Sequence, residues 1–150
     1  MCALTLLSMS RLDFFQNGYP CLFYADYYGA QYKDKGRDGN EYEITIPSHR
    51  FLIDKFLYAR KTHSCGSQDD YFDHPNCIGW VRTGDTENPG AMAVVLSNGE
   101  AGTKRMKTDH PNGEFVDLTG HVTESVVADS EGHAEFRCPA RSVSVWVPKS

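Results

Sequence analysis

The sequence predicts a mainly β fold, an antiparallel sandwich or barrel, preceded by a strand, a loop and a helix. From Ser67 onward apolar residues no longer recur at helical spacing, and short alternating runs take their place. These runs are joined by turn sequences such as DTENPG, NGEAG, HPNG and SEG. Several short strands at close, regular spacing are typical of antiparallel sandwiches and barrels. The boundary between the two parts is predicted near Cys65–Gly66.

The part before this boundary begins with a predicted helix over residues 3–12. The stretch GYPCLFYADYYG, residues 18–29, contains an apolar run, Pro20–Tyr24, which is typical of a strand buried on both faces in a parallel sheet. AQYKDKGRDGNEYEI, residues 30–44, is rich in Gly and Asp and is predicted to be a loop. Residues 46–66 are predicted to form an amphipathic helix. Its apolar residues at helical spacing are Phe51, Leu52, Phe56, Leu57 and Tyr58.

Seven strands are predicted after the boundary. They are CIGWVR (77–82), AMAVVLS (91–97), TKRMKT (103–108), EFVDLT (114–119), SVVAD (125–129), GHAEFRC (132–138) and SVSVWV (142–147). The last strand alternates, because successive side chains of a strand point to opposite faces. The pattern predicts one face formed by Val143, Val145 and Val147, and an opposite face formed by Ser142, Ser144 and Trp146.

Composition limits the classes of function. The chain has 150 residues and a net charge of −5, which gives no basic field for nucleic acid or an anionic membrane surface. Five scattered cysteines with no CxxC spacing argue against a zinc site and a disulfide framework. The apolar N-terminus, MCALTLLSMSRLDFF, lacks the charged start and cleavage site of a signal peptide. These features favour a cytoplasmic protein over a secreted one.

Motifs for catalysis are lacking in the sequence, which has no HExxH, no GxSxG and no phosphate-binding loop. The densest polar stretch is SQDDYFDHPN, residues 67–76, which is predicted to be a solvated loop, with a metal site or an interdomain contact as the alternative. Trp80 and Trp146 could stack on a sugar ring, but their place in alternating strands favours the core.

Four blocks of this sequence, in order and spacing, carry a resemblance to a known family. They are GYPCLFYADYYG, LYARKTHSCGSQDDYFDHPNCIGWVRTGD, GAMAVVLSNGEAGTKRMKT and AEFRCPARSVSVWV. They resemble the C-terminal part of α-amylases of glycoside hydrolase family 13, of the liquefying bacterial and fungal intracellular type. The resemblance implies that residues 1–65 are the truncated end of a (β/α)₈ barrel, with its last strand, loop and helix. Residues 66–150 would be the all-β C-terminal domain, a Greek-key sandwich.

The resemblance also bears on activity. Family members carry a catalytic Asp, Glu and Asp on barrel strands that precede the region matched here, so no catalytic residue is assigned to this chain. It is expected to be inactive alone on starch or glycogen, and its β-domain is expected to be structural. The first 65 residues would leave apolar surface uncovered and promote self-association. The alternative is a non-catalytic glucan-binding module. Its candidate aromatic residues are Tyr27, Tyr28, Tyr42, Trp80 and Trp146.

Two groups of binding residues follow from the resemblance. Asp26, Tyr27 and Tyr28 follow the last barrel strand and would line the wall of a glucan-binding cleft. A calcium ion bound between barrel and β-domain in relatives would have three ligands here. These are the backbone carbonyl of Pro75 and the side chains of Asn76 and Asn98. Bacterial members have aspartates at both asparagine positions, so the lost charge predicts weak or absent calcium binding.

Overall fold

The structure is a computed structural model that describes residues 21–149. The two helices of this part are α1 (Tyr24–Tyr28) and α2 (Arg50–His63). Its strands are β1 (Ala30–Lys35), β2 (Glu41–Ile46), β3 (Gln68–Tyr71), β4 (Cys77–Arg82), β5 (Met92–Ser97), β6 (Gly102–Lys107), β7 (Glu114–Asp117), β8 (Val126–Val127), β9 (His133–Cys138) and β10 (Ser142–Pro148).

The strands after α2 form an antiparallel sandwich. One layer is a six-stranded sheet in the order β3-β4-β5-β10-β7-β8, and the other is the pair β6-β9. The last strand of the chain, β10, lies between β5 and β7, so the order in space is not the order in sequence. The predicted mainly β, antiparallel fold class is confirmed.

The six-stranded sheet is apolar on both faces and therefore has two cores. On one face Val143, Val145 and Val147 of β10 pack with Trp80 and with α2, which contributes Leu52, Phe56 and Ala59. On the other face Trp146 packs between the two layers of the sandwich, among side chains from β6 and β9. The predicted alternation along β10 is confirmed. A strand pattern that is apolar on both faces is typical of a sheet covered on both sides.

All seven predicted strands are confirmed, with ends that differ by a few residues. An additional strand, β3, lies within the stretch 67–76 that was predicted to be a loop. β3 pairs with β4 in the register Asp70↔Trp80, at the edge of the sheet. Its sequence, QDDY, lacks apolar alternation because only one side of an edge strand is paired and its side chains are largely exposed.

The predicted strand at Pro20–Tyr24 is wrong over the residues that the structure describes. Cys21–Phe23 have no regular secondary structure, and Tyr24 begins α1. A strand of a parallel sheet requires neighbouring strands to pair its backbone. Residues 21–149 supply no parallel neighbour for this segment, so the local helical bonds of α1 form instead. The predicted helix over residues 3–12 lies outside the described residues, as do residues 18–20.

The predicted loop at residues 30–44 is also wrong, because it forms the hairpin β1–β2. The strands pair in the register Tyr32↔Ile44 and Asp34↔Tyr42. Gly39 occupies the left-handed region at φ 80° in the turn between them. The Gly and Asp content marks only this turn. The predicted helix at 46–66 is confirmed as the shorter α2, whose first turn follows the bond from the His49 amide to the Asp26 carbonyl, 2.8 Å.

Candidate functional site

The three predicted substrate-contacting residues all lie on α1, which is attached to the start of α2. The Asp26 carbonyl accepts a hydrogen bond from the amide of His49, and the Tyr27 carbonyl accepts one of 2.6 Å from the hydroxyl of Ser48. α1 has only five residues and would be marginal without such support. These two bonds fix the position of α1, and hence of Tyr28, relative to α2.

Tyr27 is held by a charged pair on α2. Its hydroxyl donates to Asp54 Oδ1 at 2.6 Å, and Arg50 Nε donates to Asp54 Oδ2 at 3.4 Å. The Arg50 guanidinium also lies 5.4 Å from the centre of the Tyr27 ring. The hydrogen bond to the Asp54 carboxylate raises the pKa of Tyr27 above its ordinary value. The hydrogen of the Tyr27 hydroxyl is therefore already engaged, which leaves the ring and the acceptor capacity of the hydroxyl oxygen to a ligand.

An exposed aromatic cluster lies beside Tyr27. Tyr24 and Tyr28 are 70% and 58% exposed, and their ring centres are 4.6 Å apart. Tyr27 and Tyr28 meet edge to face at 4.8 Å. This arrangement can stack on the apolar face of a sugar ring. Tyr24 was missed because the sequence placed it in a buried strand, whereas one turn of helix brings it next to Tyr28.

A backbone hydrogen bond joins Asn76 and Asn98, two of the three predicted calcium-binding residues. The Asn76 carbonyl accepts hydrogen bonds of 3.1 Å from the amide of Asn98 and from the hydroxyl of Ser97. Pro75 immediately precedes Asn76 in the turn before β4. The structure thus joins two segments, before β4 and after β5, that are more than 20 residues apart in sequence.

The chemistry of these three residues fits calcium poorly. A carbonyl and two amide side chains are neutral, and calcium affinity depends on ligand charge. Asp73, two residues before Pro75, is engaged by the buried Lys104 ammonium, which holds the pKa of Asp73 below its usual range. Within residues 21–149 no three His, Cys, Asp or Glu side chains come together as a metal site.

Burial prevents the two tryptophans and Cys138 from contacting a ligand. Trp80 and Trp146 are fully buried, so the expected core positions are confirmed and neither can stack on a sugar. Cys138 is buried in the sandwich, where desolvation raises its pKa to about 12. Its thiol is therefore not a nucleophile near neutral pH. Of the aromatic candidates for sugar binding, Tyr27, Tyr28 and Tyr42 remain.

Comparison with known proteins identifies relatives. A family model described as "Alpha-amylase C-terminal" matches residues 93–147. The chain is similar to an α-amylase of Geobacillus stearothermophilus, with 42% identity over 137 residues, covering 89% of this chain and 23% of that protein. It is also similar to the cytoplasmic α-amylase of Escherichia coli (strain K12), with 44% identity over 134 residues, covering 88% of this chain and 27% of that protein.

A solved structure supports the fold. The crystal structure of γ-CGTase from alkalophilic Bacillus clarkii matches 99% of this chain and 23% of its own, with a TM-score of 0.68 and 20% identity. The chain spans about a quarter of the length of the curated relatives named above. Among the described helices, none has the length and apolar character needed to cross a membrane.

Proposed function

Because this chain carries the C-terminal domain of α-amylases, we propose that it is the C-terminal part of an enzyme that cleaves internal α-1,4 bonds of starch or glycogen. One observation supports this most directly. The similarity to curated α-amylases covers about nine tenths of the chain, and so includes the segment before the β-domain as well as the domain itself.

The packing supports a structural role for the β-domain in that enzyme. Phe56 of α2 is fully buried against Trp80 and the valines of β10, so the domain covers the apolar side of the helix that precedes it. At about 25 cal/mol per Å², burial of such side chains is the main stabilising contribution available to this contact.

Polar contacts reinforce the junction. Arg82 of β4 is buried, and its guanidinium donates through Nε to the Ser64 carbonyl at 3.0 Å, just after α2. Gly66 then bridges to Gly84 with φ at +77°, and an added Cβ at Gly66 would lie 1.8 Å from the Gly84 carbonyl oxygen. Only glycine fits this position. The junction is therefore built to hold the β-domain in one orientation on α2.

The chain by itself is proposed to lack activity. Retaining glycoside hydrolysis requires two carboxyl groups about 5 Å apart across the scissile bond. The resemblance to family 13 places the catalytic carboxylates on strands before the matched region. In the parent enzyme, Asp26, Tyr27 and Tyr28 would form part of the cleft wall. The similarity to a cytoplasmic relative supports a cytoplasmic location.

The purified chain is expected to release no reducing sugar from soluble starch above a buffer blank, because the reacting carboxylates are absent from it. The assay is a reducing-end measurement at high protein concentration, with a complete α-amylase as positive control. Starch cleavage at an enzyme-like rate would contradict the proposal.

Light scattering on the same preparation is expected to detect species larger than a monomer, because Phe23, Phe51 and Tyr58 are more than half exposed.

Calcium is proposed to bind weakly or not at all at the Pro75–Asn76–Asn98 cluster. Calorimetric titration of the chain with calcium is expected to give no micromolar binding. The double variant Asn76→Asp, Asn98→Asp restores two charges while keeping size, and it is expected to tighten any calcium binding by at least about tenfold. Micromolar binding by the unaltered chain would show that neutral oxygens suffice here.

A further inference from the structure

The hairpin β1–β2 has two chemically different faces. On one face Gln31 donates to Glu43 at 2.6 Å, and Lys33 pairs with Glu41 at 3.5 Å, so this face is charged and internally paired. The register places a second set of side chains on the opposite face. These are Ala30, Tyr32, Asp34, Tyr42, Ile44 and Ile46.

The aromatic side chains of this second face are open to solvent. Tyr32 is 47% exposed and Tyr42 is 51% exposed. They occupy diagonal positions, since Tyr32 lies opposite Ile44 and Tyr42 lies opposite Asp34. Asp34 therefore lies beside both tyrosines on the same face. Its Oδ1 accepts from the amide of Lys35, 2.7 Å, and no described residue donates to its Oδ2.

The Tyr42 ring is held in place at both ends although half of it is exposed. Its hydroxyl donates to Asp38 Oδ2 at 2.6 Å, and the amide side chain of Asn40 donates to the same oxygen at 2.9 Å. These bonds lower the pKa of Asp38. The ring also lies directly over Gly36, where an added Cβ would be only 2.7 Å from Tyr42 Cε2. The ring can lie there because residue 36 has no side chain.

From this geometry we infer a second glucan-binding site on the hairpin, in which Tyr42 and Tyr32 stack on sugar rings and Asp34 accepts a sugar hydroxyl. An exposed ring that is already fixed loses little conformational entropy on binding. The apolar rings suit the CH faces of a sugar, and the carboxylate beside them suits its hydroxyls. The site shares no residue with the α1 cluster, because its side chains belong to β1 and β2 and not to α1.

The inference rests on the proposed function, from which it takes α-glucan as the ligand. The alternative occupant is another part of the parent enzyme, and a glucan-binding experiment on this chain separates the two. The hairpin is available to a ligand in the chain as it stands, so no parent enzyme is needed for the measurement.

The test is affinity electrophoresis of the chain in native gels with and without glycogen, followed by calorimetry with maltoheptaose. Retardation by glycogen is expected. Tyr42→Ala and Tyr32→Ala are each expected to weaken binding by about tenfold, as for loss of a central aromatic anchor. Tyr58→Ala is the matched control, because Tyr58 is a 53% exposed tyrosine on α2, and it is expected to leave binding unchanged.

Two further variants test the mechanism without removing the ring. Gly36→Ala keeps every tyrosine but pushes the Tyr42 ring from its position, and it is expected to weaken binding. Tyr42→Phe keeps the ring and loses only the bond to Asp38, so it is expected to weaken binding less than Tyr42→Ala. Circular dichroism of each variant verifies that the fold is retained.

Three results would overturn the inference. The first is a wild-type chain that binds neither glycogen nor maltoheptaose. The second is binding unchanged in both Tyr42→Ala and Tyr32→Ala. The third is binding lost only in Tyr28→Ala, which would assign the glucan to the α1 cluster and leave the proposed function intact. If instead the chain itself cleaves starch, the proposed function fails whatever the hairpin binds.

Discussion

Replacing Trp146 by alanine is expected to destabilise the β-domain by about 3–5 kcal/mol, which is the usual cost of truncating a buried aromatic residue. Trp146 is fully buried, and its ring centre lies 5.8 Å from that of Phe136. Phe136 in turn meets Phe115 edge to face at 5.4 Å. The indole N–H donates to the Arg137 carbonyl at 3.0 Å. Because a domain of this size is stable by only about 5–15 kcal/mol, this change removes a large fraction of its free energy of unfolding.

Urea unfolding followed by fluorescence measures this effect. The chain has two tryptophans, so Trp80 still reports on the core beside α2 in the Trp146→Ala variant. Trp146→Phe keeps an aromatic ring and loses only the indole N–H and some volume. Its unfolding midpoint is therefore expected to lie between those of the unaltered chain and Trp146→Ala. Tyr58→Ala, at an exposed position, is expected to lie within about 0.5 kcal/mol of the unaltered chain. An unchanged unfolding midpoint for Trp146→Ala would show that the sandwich core does not depend on this ring.

The stability of the tryptophan variants also distinguishes a tryptophan in the core from one that binds a ligand. A sugar-stacking tryptophan would be at least partly open to solvent, and its removal would reduce glucan binding at unchanged stability. Because both tryptophans are fully buried, their removal is expected to lower the stability of the fold instead. Loss of glucan binding in Trp80→Ala or Trp146→Ala would follow from unfolding, whereas loss in Tyr42→Ala would not.

The strands of the β-domain could be predicted because their information is local. Alternation with period two identifies both the strand and the face, and β10 illustrates this best, since Val143 and Trp146 fall in the two separate cores that the alternation implies. The turns carry Gly, Asn and Pro, whose backbone preferences are also local. These signals do not depend on which strands become neighbours.

The segment 18–29 and the hairpin could not be predicted in the same way. Whether an apolar run becomes a strand depends on a neighbouring strand that hydrogen-bonds to it, and residues 21–149 offer none to Cys21–Phe23. The hairpin was missed for the opposite reason, because its two polar segments supply strand partners to each other. β1 and β2 are rich in charged residues, but those residues pair with each other across the two strands, as Lys33 does with Glu41. Neither outcome is written in the composition of the segment itself.

The placement of the site residues also depends on contacts between segments that are distant in sequence. Asn76 and Asn98 were grouped only through the family resemblance, and the structure joins them through a backbone hydrogen bond that no spacing rule contains. The fixed position of Tyr42 depends on the register Asp34↔Tyr42, which brings the ring over Gly36. A register that differed by one residue would turn Tyr42 to the other face of the hairpin.

Replacing Asp117 by alanine is expected to be the other severe change in the β-domain, for a polar rather than an apolar reason. Asp117, at the end of β7, is buried, and its carboxylate accepts four hydrogen bonds. Oδ1 accepts from the amide and hydroxyl of Thr119, at 2.9 and 2.6 Å, and from the amide of Val145 at 3.1 Å. Oδ2 accepts from the amide of Val122 at 3.0 Å. One side chain thus ties the loop after β7 to the central strand β10.

Alanine at this position would leave those donors without acceptors in a region largely closed to water. An unsatisfied buried donor costs about 1–3 kcal/mol, so the combined loss is expected to exceed about 3 kcal/mol, with part of it relieved if the loop rearranges to reach solvent. Asp117→Asn is the matched control. It keeps the size of the side chain and an acceptor oxygen at Oδ1, where three of the four bonds are made, but its amide nitrogen cannot accept from the Val122 amide, so less than half of the effect is expected. Thermal unfolding measures the loss of stability, and hydrogen exchange at the amides of Val122 and Val145 measures the loss of their hydrogen bonds to Asp117. Protection of these two amides that is the same in Asp117→Ala as in the unaltered chain would refute the assigned role, even if the overall stability fell.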